Sequence, residues 1–238
     1  MRGVLCMDDF NQDIEFEKEV VDEALLDNPE PRCPVILLLD VSYSMGGAPI
    51  NQLNEGVQAL YAALRDDDLA SVRVDLSVMT FGANVNVLQD FATVSESKAP
   101  ELKVNGMTPM GEGIATALRN IEKRKVEYRD AGISYYRPWL FVITDGQPTD
   151  DTREASAMLQ SAISNKKVIF FGIGVENANL DVLRNISGSP DRVFKLQGLN
   201  FKELFQWVSS SLSSVSSSRV GDTLKLEKPS DDVFEFEV

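Results

Sequence analysis

Three oxygen-bearing side chains occupy alternate positions directly after a short apolar run. Residues 35–39 read VILLL, and Asp40, Ser42 and Ser44 follow. This spacing allows a curling loop to direct all three side chains toward one point. Because a carboxylate and two serines also commonly cap a helix, this segment alone does not distinguish a metal site from a helix cap.

Two further segments carry oxygen ligands in comparable positions. Thr108 lies among glycines in VNGMTPMGEG, ahead of a predicted helix, and Asp145 follows the apolar run WLFVIT. Carboxylate and hydroxyl oxygens select hard cations, and the chain contains no histidine that would favour zinc. The three segments together therefore predict a site for a divalent cation. We expect Mg²⁺, with Mn²⁺ and Ca²⁺ as alternatives.

The elements that must position these side chains read as strands alternating with helices. Such alternation predicts an α/β fold with a doubly wound, mostly parallel six-stranded sheet, helices on both faces and the first strand at the centre. Ligand sites in such sheets lie beyond the carboxyl ends of the strands. The predicted strands are VILLLD at 35–40, 71–81, 84–91 as a possible edge strand, 138–146, KKVIFFGIGV and RVFKL; the predicted helices are 50–65, 111–128, 152–165 with a cap near Thr149, Asp150 and Asp151, NLDVLRNIS and FKELFQWVSSSL.

The segments DVSYS, the Thr108 loop and ITDGQPTD, in this order and spacing, resemble the metal-ion-dependent adhesion site (MIDAS) of von Willebrand factor A (VWA) domains. The resemblance covers roughly residues 33–213. It implies that Ser42, Ser44 and Thr108 coordinate a metal directly, that Asp40 and Asp145 do so directly or through water, and that an acidic side chain of a partner protein completes the coordination. Tyr43 stands where many members have glycine.

The sequence around these loops is similar to that of bacterial VWA proteins of the tellurium-resistance-associated (TerY-like) branch. The similar segments are RCPVILLLDVSYSMGGAPINQLNEGVQAL and MTPMGEGIATAL. That similarity implies a non-enzymatic interaction module in a cytoplasmic stress system. It also implies a PP2C-type protein phosphatase and a Ser/Thr kinase as partners.

The two ends of the chain differ in composition from its middle. Residues 1–32 hold three basic and ten acidic side chains, and residues 219–238 hold three and six, so the ends carry most of the net charge of −14. We predict an acidic N-terminal arm at 1–32, a VWA domain at 33–213, and a Ser-rich linker with an acidic tail at 214–238. Both ends are expected to be dispensable for folding. The alternation in VFEFEV would also suit a strand added to a sheet edge.

Charge and cysteine content exclude several classes of function. No clustered Lys/Arg surface is visible, which argues against nucleic acid and anionic membrane as ligands. Two cysteines outside any CxxC pair cannot form a disulfide framework, and no apolar segment approaches the length of a membrane span. A cytoplasmic location is therefore expected.

Two enzymatic or nucleotide-binding interpretations compete with the VWA interpretation. The apolar run that ends in Asp40 and Ser42 (hhhhDxS, where h is an apolar residue) also resembles the first motif of haloacid-dehalogenase-type, Mg²⁺-dependent phosphohydrolases. In that family Asp40 would be the nucleophile. The second acid of that motif is replaced by Ser42, which is a poor general acid. Gly172 and Gly174 suggest a nucleotide-binding loop, but Asn177 stands at the third glycine of GxGxxG.

Three other features admit both a functional and a structural interpretation. Met45, Met107 and Met110 flank the expected site and would form either an adaptable apolar rim or core packing. The acidic cluster formed by Asp66, Asp67 and Asp68 is predicted to be a solvated turn after a helix rather than a second metal site. The serine run at 209–218 is expected to fray the last helix into a linker.

Overall fold

One twisted sheet forms the centre of the molecule. The computed structural model describes residues 25, 27–222, 224 and 234–235. The strand order is β3-β2-β1-β4-β5-β6-β7; β3 and β7 run antiparallel to their neighbours and the other pairs are parallel. The strands are β1 Cys33–Asp40, β2 Val74–Phe81, β3 Val85–Thr93, β4 Trp139–Thr144, β5 Ile169–Gly174, β6 Val193–Leu196 and β7 Phe234–Glu235.

Helices cover both faces of this sheet, with one apolar core on each face. Helices α1, α2 and α6 contribute to the first core, and α3, α4 and α5 contribute to the second. The six predicted strands are all present, so the doubly wound α/β prediction is confirmed. The helices are α1 Ala48–Arg65, α2 Asp68–Arg73, α3 Met110–Asp130, α4 Arg153–Ser164, α5 Leu180–Ser187 and α6 Phe201–Ser216.

The central strand β1 brings the first candidate ligand to the sheet edge. Val35, Leu37 and Leu39 belong to one core, whereas Ile36 and Leu38 belong to the other, and all five are fully buried. A strand buried on both faces needs apolar residues at every position, which explains the unbroken run VILLL. Hydrogen-bonded neighbours on both sides hold the strand in register, so the place of Asp40 at its carboxyl end is fixed.

A glycine permits the close approach of α1 and α6. A Cβ atom added at Gly56 would lie 2.7 Å from a ring carbon of Phe205 and 2.9 Å from Cβ of Phe201. The two phenylalanines fill the space that a side chain at Gly56 would take. This contact anchors the last helix to the first core.

The serine run does not fray the last helix, contrary to the sequence-based expectation. Helix α6 continues to Ser216, three residues beyond the predicted end of the domain at 213. Side chains from distant segments hold the end of the helix: Arg73 Nη1 donates to Ser216 O at 2.6 Å, and Tyr136 Oη donates at 2.5 Å to Ser218 O, two residues past the helix. Leu212 and Val215 are buried, which holds the serine-rich turns against the sheet.

The N-terminal arm is docked at its C-terminal end. Leu25 is 2% exposed and packs in a small cluster with Tyr128 and Ile133, and the Arg32 side chain is buried with its guanidinium bonded to backbone carbonyls of residues 28 and 30. The predicted boundary at residue 32 therefore passes through packed structure, and the part of the arm from residue 27 to residue 32 belongs with the domain. Residues 1–24 and 26 of the predicted arm lie outside the described residues.

Part of the tail forms the additional strand β7. Phe234 and Glu235 pair with Leu196 and Lys195 of β6, at the edge of the sheet remote from β3. This pairing agrees with the alternation noted in VFEFEV. The rest of that segment lies outside the described residues.

None of the helices in the described part of the chain is long and apolar enough to cross a lipid bilayer.

Candidate metal-binding site

All five predicted ligands lie at the carboxyl edge of the sheet. Asp40 ends β1, and Ser42 and Ser44 belong to the short 3₁₀ turn that follows it. Thr108 lies two residues before α3, and Asp145 follows β4, the parallel neighbour of β1. The edge that the fold rule indicates for a ligand site therefore carries every residue selected from the sequence.

Hydrogen bonds connect the two serines to Asp145. The hydroxyl oxygens of Ser42 and Ser44 lie 3.0 Å apart, and Ser44 Oγ donates to Asp145 Oδ1 at 2.7 Å. Ser42 is 3% exposed, whereas Ser44 is exposed to solvent. Residues 101 positions apart thus share one polar cluster that is open to solvent on the Ser44 side.

The carboxylate of Asp40 is fully buried and held by two donors. The backbone N–H of Ser42 donates to Oδ1 at 2.8 Å, and Thr144 Oγ1 donates to Oδ2 at 2.5 Å. Burial raises the pKa of Asp40, the hydrogen bonds from Ser42 and Thr144 oppose that rise, and the nearby charge of Asp145 adds to it. The aspartate is therefore oriented, but its negative charge is poorly compensated.

Thr144 is a site residue that sequence reasoning missed. It is the last residue of β4 and is 1% exposed, and besides bonding Asp40 it accepts a hydrogen bond from Gly146 N at 3.1 Å. In the sequence it resembles an ordinary β-branched strand residue. The available signal was its position at the end of a buried strand, directly before Asp145.

The loop before α3 is clasped between two neighbouring segments. Asn105 N donates to Val41 O at 2.6 Å, and Tyr43 N donates to Gly106 O at 3.1 Å. Gly106 has a φ of 78°, and a Cβ atom there would lie 2.2 Å from the backbone nitrogen of Ala83, so this position requires glycine. These contacts hold Thr108 beside the segment that carries Asp40 and the two serines.

A second loop fixes Thr108 from the other side. Thr108 N donates to Thr149 Oγ1 at 3.1 Å, and Thr149 N donates to Thr108 O at 2.9 Å. Asp151 accepts a hydrogen bond from Arg153 N at 3.0 Å at the start of α4, in agreement with the cap predicted near Thr149, Asp150 and Asp151. Asp150 accepts hydrogen bonds from Gly111 N and Glu112 N at the start of α3. The bonds of Asp150 join segments 39 residues apart, which local sequence cannot reveal.

Gly146 borders the space between the candidate ligands. A Cβ atom at this position would lie 3.4 Å from Thr108 Oγ1 and 3.7 Å from Asp40 Oδ2. The absence of a side chain leaves room beside both oxygens, where a larger residue would project toward them. Asp40, Thr108 and the loop of Asp145 therefore converge on one small region.

The donor set fits a hard divalent cation. Two carboxylates and three hydroxyls offer only oxygen, and the charge of Asp145 acts unfavourably on that of Asp40. Neither aspartate belongs to any of the ion pairs found within the described ranges. Among the described residues, no group of three or more His, Cys, Asp or Glu side chains could hold a metal; the candidate set combines two aspartates with three hydroxyl residues instead.

Comparisons with known proteins agree with this architecture. The family model of the von Willebrand factor type A domain matches residues 35–207. An uncharacterised protein of Synechocystis sp. is 25% identical over 201 residues, covering 79% of this chain and 44% of that protein. The chain spans less than half of the length of each curated relative that it matches at this level of similarity.

Two solved structures share the fold. The von Willebrand factor type A protein from Catenulispora acidiphila matches with a TM-score of 0.58 and 17% identity, over 77% of this chain and 43% of that one. The vWF domain of the type V pili tip protein Mfa5 from Porphyromonas gingivalis matches with a TM-score of 0.61 and 12% identity, over 82% and 99%. Because the family model covers most of the chain, this protein belongs to the von Willebrand factor A domain family.

Proposed function

We propose that this protein is a metal-dependent protein–protein interaction module. VWA domains in general bind protein partners. The candidate ligands Asp40, Ser42, Ser44, Thr108 and Asp145 would hold Mg²⁺, or alternatively Mn²⁺ or Ca²⁺. A bound dication would offer an open coordination position to an Asp or Glu side chain of the partner.

The convergence of the ligands is the observation that carries the proposal. Ser44 bonds Asp145 at 2.7 Å, and the space at Gly146 lies within 3.7 Å of oxygens of both Asp40 and Thr108. Ser42 and Thr144 hold the Asp40 carboxylate in one orientation, so the acid does not need to reorganise when a cation arrives. The exposed hydroxyl of Ser44 marks the side from which a partner can approach.

The finer proposal follows the resemblance to the tellurium-resistance-associated branch. In that setting the protein acts in a bacterial cytoplasmic stress system and scaffolds a PP2C-type phosphatase, a Ser/Thr kinase or both. It is not itself an enzyme. The two carboxylates of the site, Asp40 and Asp145, support a partner attached through a cation, because a partner carboxylate would otherwise be repelled.

The haloacid-dehalogenase-like alternative receives no support from the geometry. The position of its general acid is occupied by Ser42, whose hydroxyl lies 3.0 Å from that of Ser44.

Calorimetric titration with Mg²⁺, Mn²⁺ and Ca²⁺ tests the metal site directly. We expect a single site in the wild type, no binding in Asp40→Ala, and weaker binding in Thr108→Ala, because water can replace a neutral ligand more readily than a carboxylate. Asp66→Ala is the matched control, since it removes an exposed carboxylate at the opposite edge of the sheet and should leave the titration unchanged.

Capture of the phosphatase or kinase partner then tests the link between metal and binding. Capture by the wild type should require the divalent cation and disappear on chelation. Undiminished, chelator-resistant capture by Asp40→Ala would refute the proposed mechanism.

A further inference from the structure

We propose that Tyr43 and Met107 form an apolar rim at the candidate metal site and select partner segments in which a single carboxylate stands beside a large apolar side chain. This inference rests on the proposed function and specifies the partner chemistry of the same site.

The two side chains are unusually exposed for their type. Tyr43 is 71% exposed and Met107 is 61% exposed, more than any other large apolar side chain in the described part of the chain. Single exposed apolar residues are ordinary on protein surfaces. Here, however, two of them adjoin candidate ligands: Tyr43 separates Ser42 from Ser44, and Met107 precedes Thr108. The two most exposed large apolar side chains among the described residues therefore both lie next to the candidate metal site.

The other methionines that flank these loops are not available for the rim. Met45 and Met110 are both fully buried in the two cores. From the sequence, each of the three methionines could either pack in the core or form part of a rim. In the structure two of them are core residues and one, Met107, is exposed. The rim is therefore made of one aromatic and one thioether side chain.

The backbone beneath the rim is fixed before any partner binds. Tyr43 N donates to Gly106 O at 3.1 Å, which joins the loop of Tyr43 to the residue before Met107. The close contact of Gly106 with Ala83 holds the second loop from behind. Because both loops are held, Tyr43 and Met107 contribute contact area without the cost of ordering the backbone.

The charge around the site limits the partner to few acidic residues. Asp150 is bonded to the start of α3, Glu112 is exposed there, and Thr149 links this region to Thr108. A cation held by Asp40 and Asp145 would be close to neutral overall and would accept one partner carboxylate. Further acids in the partner would meet Asp150 and Glu112, so neutral or apolar neighbours are favoured on grounds of charge complementarity.

Large apolar side chains are the neighbours that the rim can use. Aromatic and methionine side chains are enriched at the centres of protein interfaces, where they exclude water from a polar contact. A leucine or phenylalanine next to the partner carboxylate would cover Tyr43 and Met107 and shield the coordinating oxygens. Specificity would then come from the rim, while attachment comes from the five ligands.

Selection from a library of random short peptides, displayed on phage and presented to the full chain in Mg²⁺, tests the inference. We expect recovered peptides to combine one Asp or Glu with an adjacent large apolar residue. A Tyr43→Ser/Met107→Ser double variant should bind the best such peptide about tenfold more weakly, while its affinity for Mg²⁺ itself is unchanged. Leu69→Ser is the matched control, since it removes a 40% exposed apolar side chain in α2, at the opposite edge of the sheet.

Replacing the apolar residue of the peptide with alanine completes a double-mutant cycle between the peptide and the rim. That change should weaken binding to the wild type about tenfold and should have little effect on binding to the double variant. If metal-dependent peptides lack an apolar neighbour, or bind the double variant as well as the wild type, the rim has no selective role and the proposed function stands. If no peptide is recovered in a metal-dependent manner, the proposed function fails and the inference fails with it.

Discussion

Burial and charge oppose each other at Asp40. A buried carboxylate is costly unless hydrogen bonds or a counter-charge compensate it. Asp40 accepts hydrogen bonds from Ser42 N and Thr144 Oγ1, yet burial raises its pKa and the charge of Asp145 adds to that rise. At this residue the fold keeps a strained electrostatic arrangement, which a cation would relieve.

Thr144 is predicted to act as a positioning residue for Asp40. Thr144→Val keeps the shape of the side chain but removes the donor to Asp40 Oδ2, so the carboxylate loses one of its two constraints. Mg²⁺ affinity should fall about tenfold, as is typical when a partner of a ligand is removed. Calorimetric titration measures the change. Thr93→Val is the control: Thr93 is also buried but bonds Glu96 at the opposite edge, and its replacement should not alter Mg²⁺ affinity.

Sequence reasoning at the residue scale found the ligands but not their supports. Asp40 and Asp145 could be found because each directly follows an apolar run that predicts a buried strand. Thr144 and Asp150 could not be assigned, since their roles depend on contacts 104 and 39 residues away. The exposure of Met107 and the burial of Met45 and Met110 were likewise undecidable, because a methionine suits either environment.

At the scale of elements, the short helix α2 depends on one capping side chain. Asp67 Oδ1 accepts hydrogen bonds from Leu69 N at 3.0 Å and Ala70 N at 2.8 Å. These bonds, that from Ala70 first, lower the pKa of Asp67. The acidic cluster at 66–68 is therefore a helix cap in part and not only the solvated turn expected from the sequence.

Two replacements of Asp67 should distinguish the stability that its helix cap contributes from the stability that its negative charge contributes. Asp67→Ala should lower the free energy of unfolding by about 1 kcal/mol at neutral pH. Because the folded-state pKa lies below the unfolded value of about 4, the contribution of the charged cap is complete above that value and is lost as pH falls through the folded pKa. Denaturant unfolding between neutral and acidic pH should show this loss in the wild type.

Asp67→Asn is the informative control for this prediction. Asparagine caps helices nearly as well as aspartate but does not titrate, so this variant should keep most of the stability and lose the acid-dependent part contributed by residue 67. An equal loss in the Asn and Ala variants at neutral pH would contradict the capping role.

The elements that the sequence predicted correctly are those with strong apolar patterns. Strands β1 and β4 were recognised because burial on both faces requires continuous apolar runs. Helix α2 was missed because six residues carry too little periodicity. The end of α6 was misplaced because local composition favours fraying, whereas the donors of Arg73 and Tyr136 that cap it come from distant segments.

On the scale of the whole molecule, the two edges of the sheet have different tasks. The carboxyl edge gathers Asp40, Asp145 and their hydroxyl neighbours in a region open to solvent. The amino edge contains a buried ion pair, in which Arg124 Nη2 lies 2.9 Å from Asp75 Oδ2 and Tyr128 Oη also donates to that oxygen. Docking of Leu25 and Arg32 closes the same edge. The first edge suits binding, and the second contributes to stability.

Measurement of stability against Mg²⁺ concentration should reveal this division. A cation that binds only the folded state stabilises it by about 2.7 kcal/mol at a concentration of about 100 times its Kd. Asp75→Ala removes the buried carboxylate that accepts from both Arg124 and Tyr128, although Arg124 keeps its ion pair with Glu127, and should lower the free energy of unfolding by about 3–5 kcal/mol without Mg²⁺. It should nevertheless gain the same increment as the wild type when Mg²⁺ is added, because the carboxyl edge is intact.

Asp40→Ala should show the opposite behaviour. Removal of the buried carboxylate relieves its unfavourable interaction with Asp145 but leaves Ser42 N and Thr144 Oγ1 without their acceptor. Stability without Mg²⁺ should therefore change little, and the Mg²⁺-dependent increment should be absent. Chemical denaturation of the three proteins with Mg²⁺ and with chelator separates the two effects. The free energy of unfolding in chelator depends on the amino edge, and the increase in that free energy on adding Mg²⁺ depends on the carboxyl edge. A full increment in Asp40→Ala, or a lost increment in Asp75→Ala, would show that the two edges are not independent.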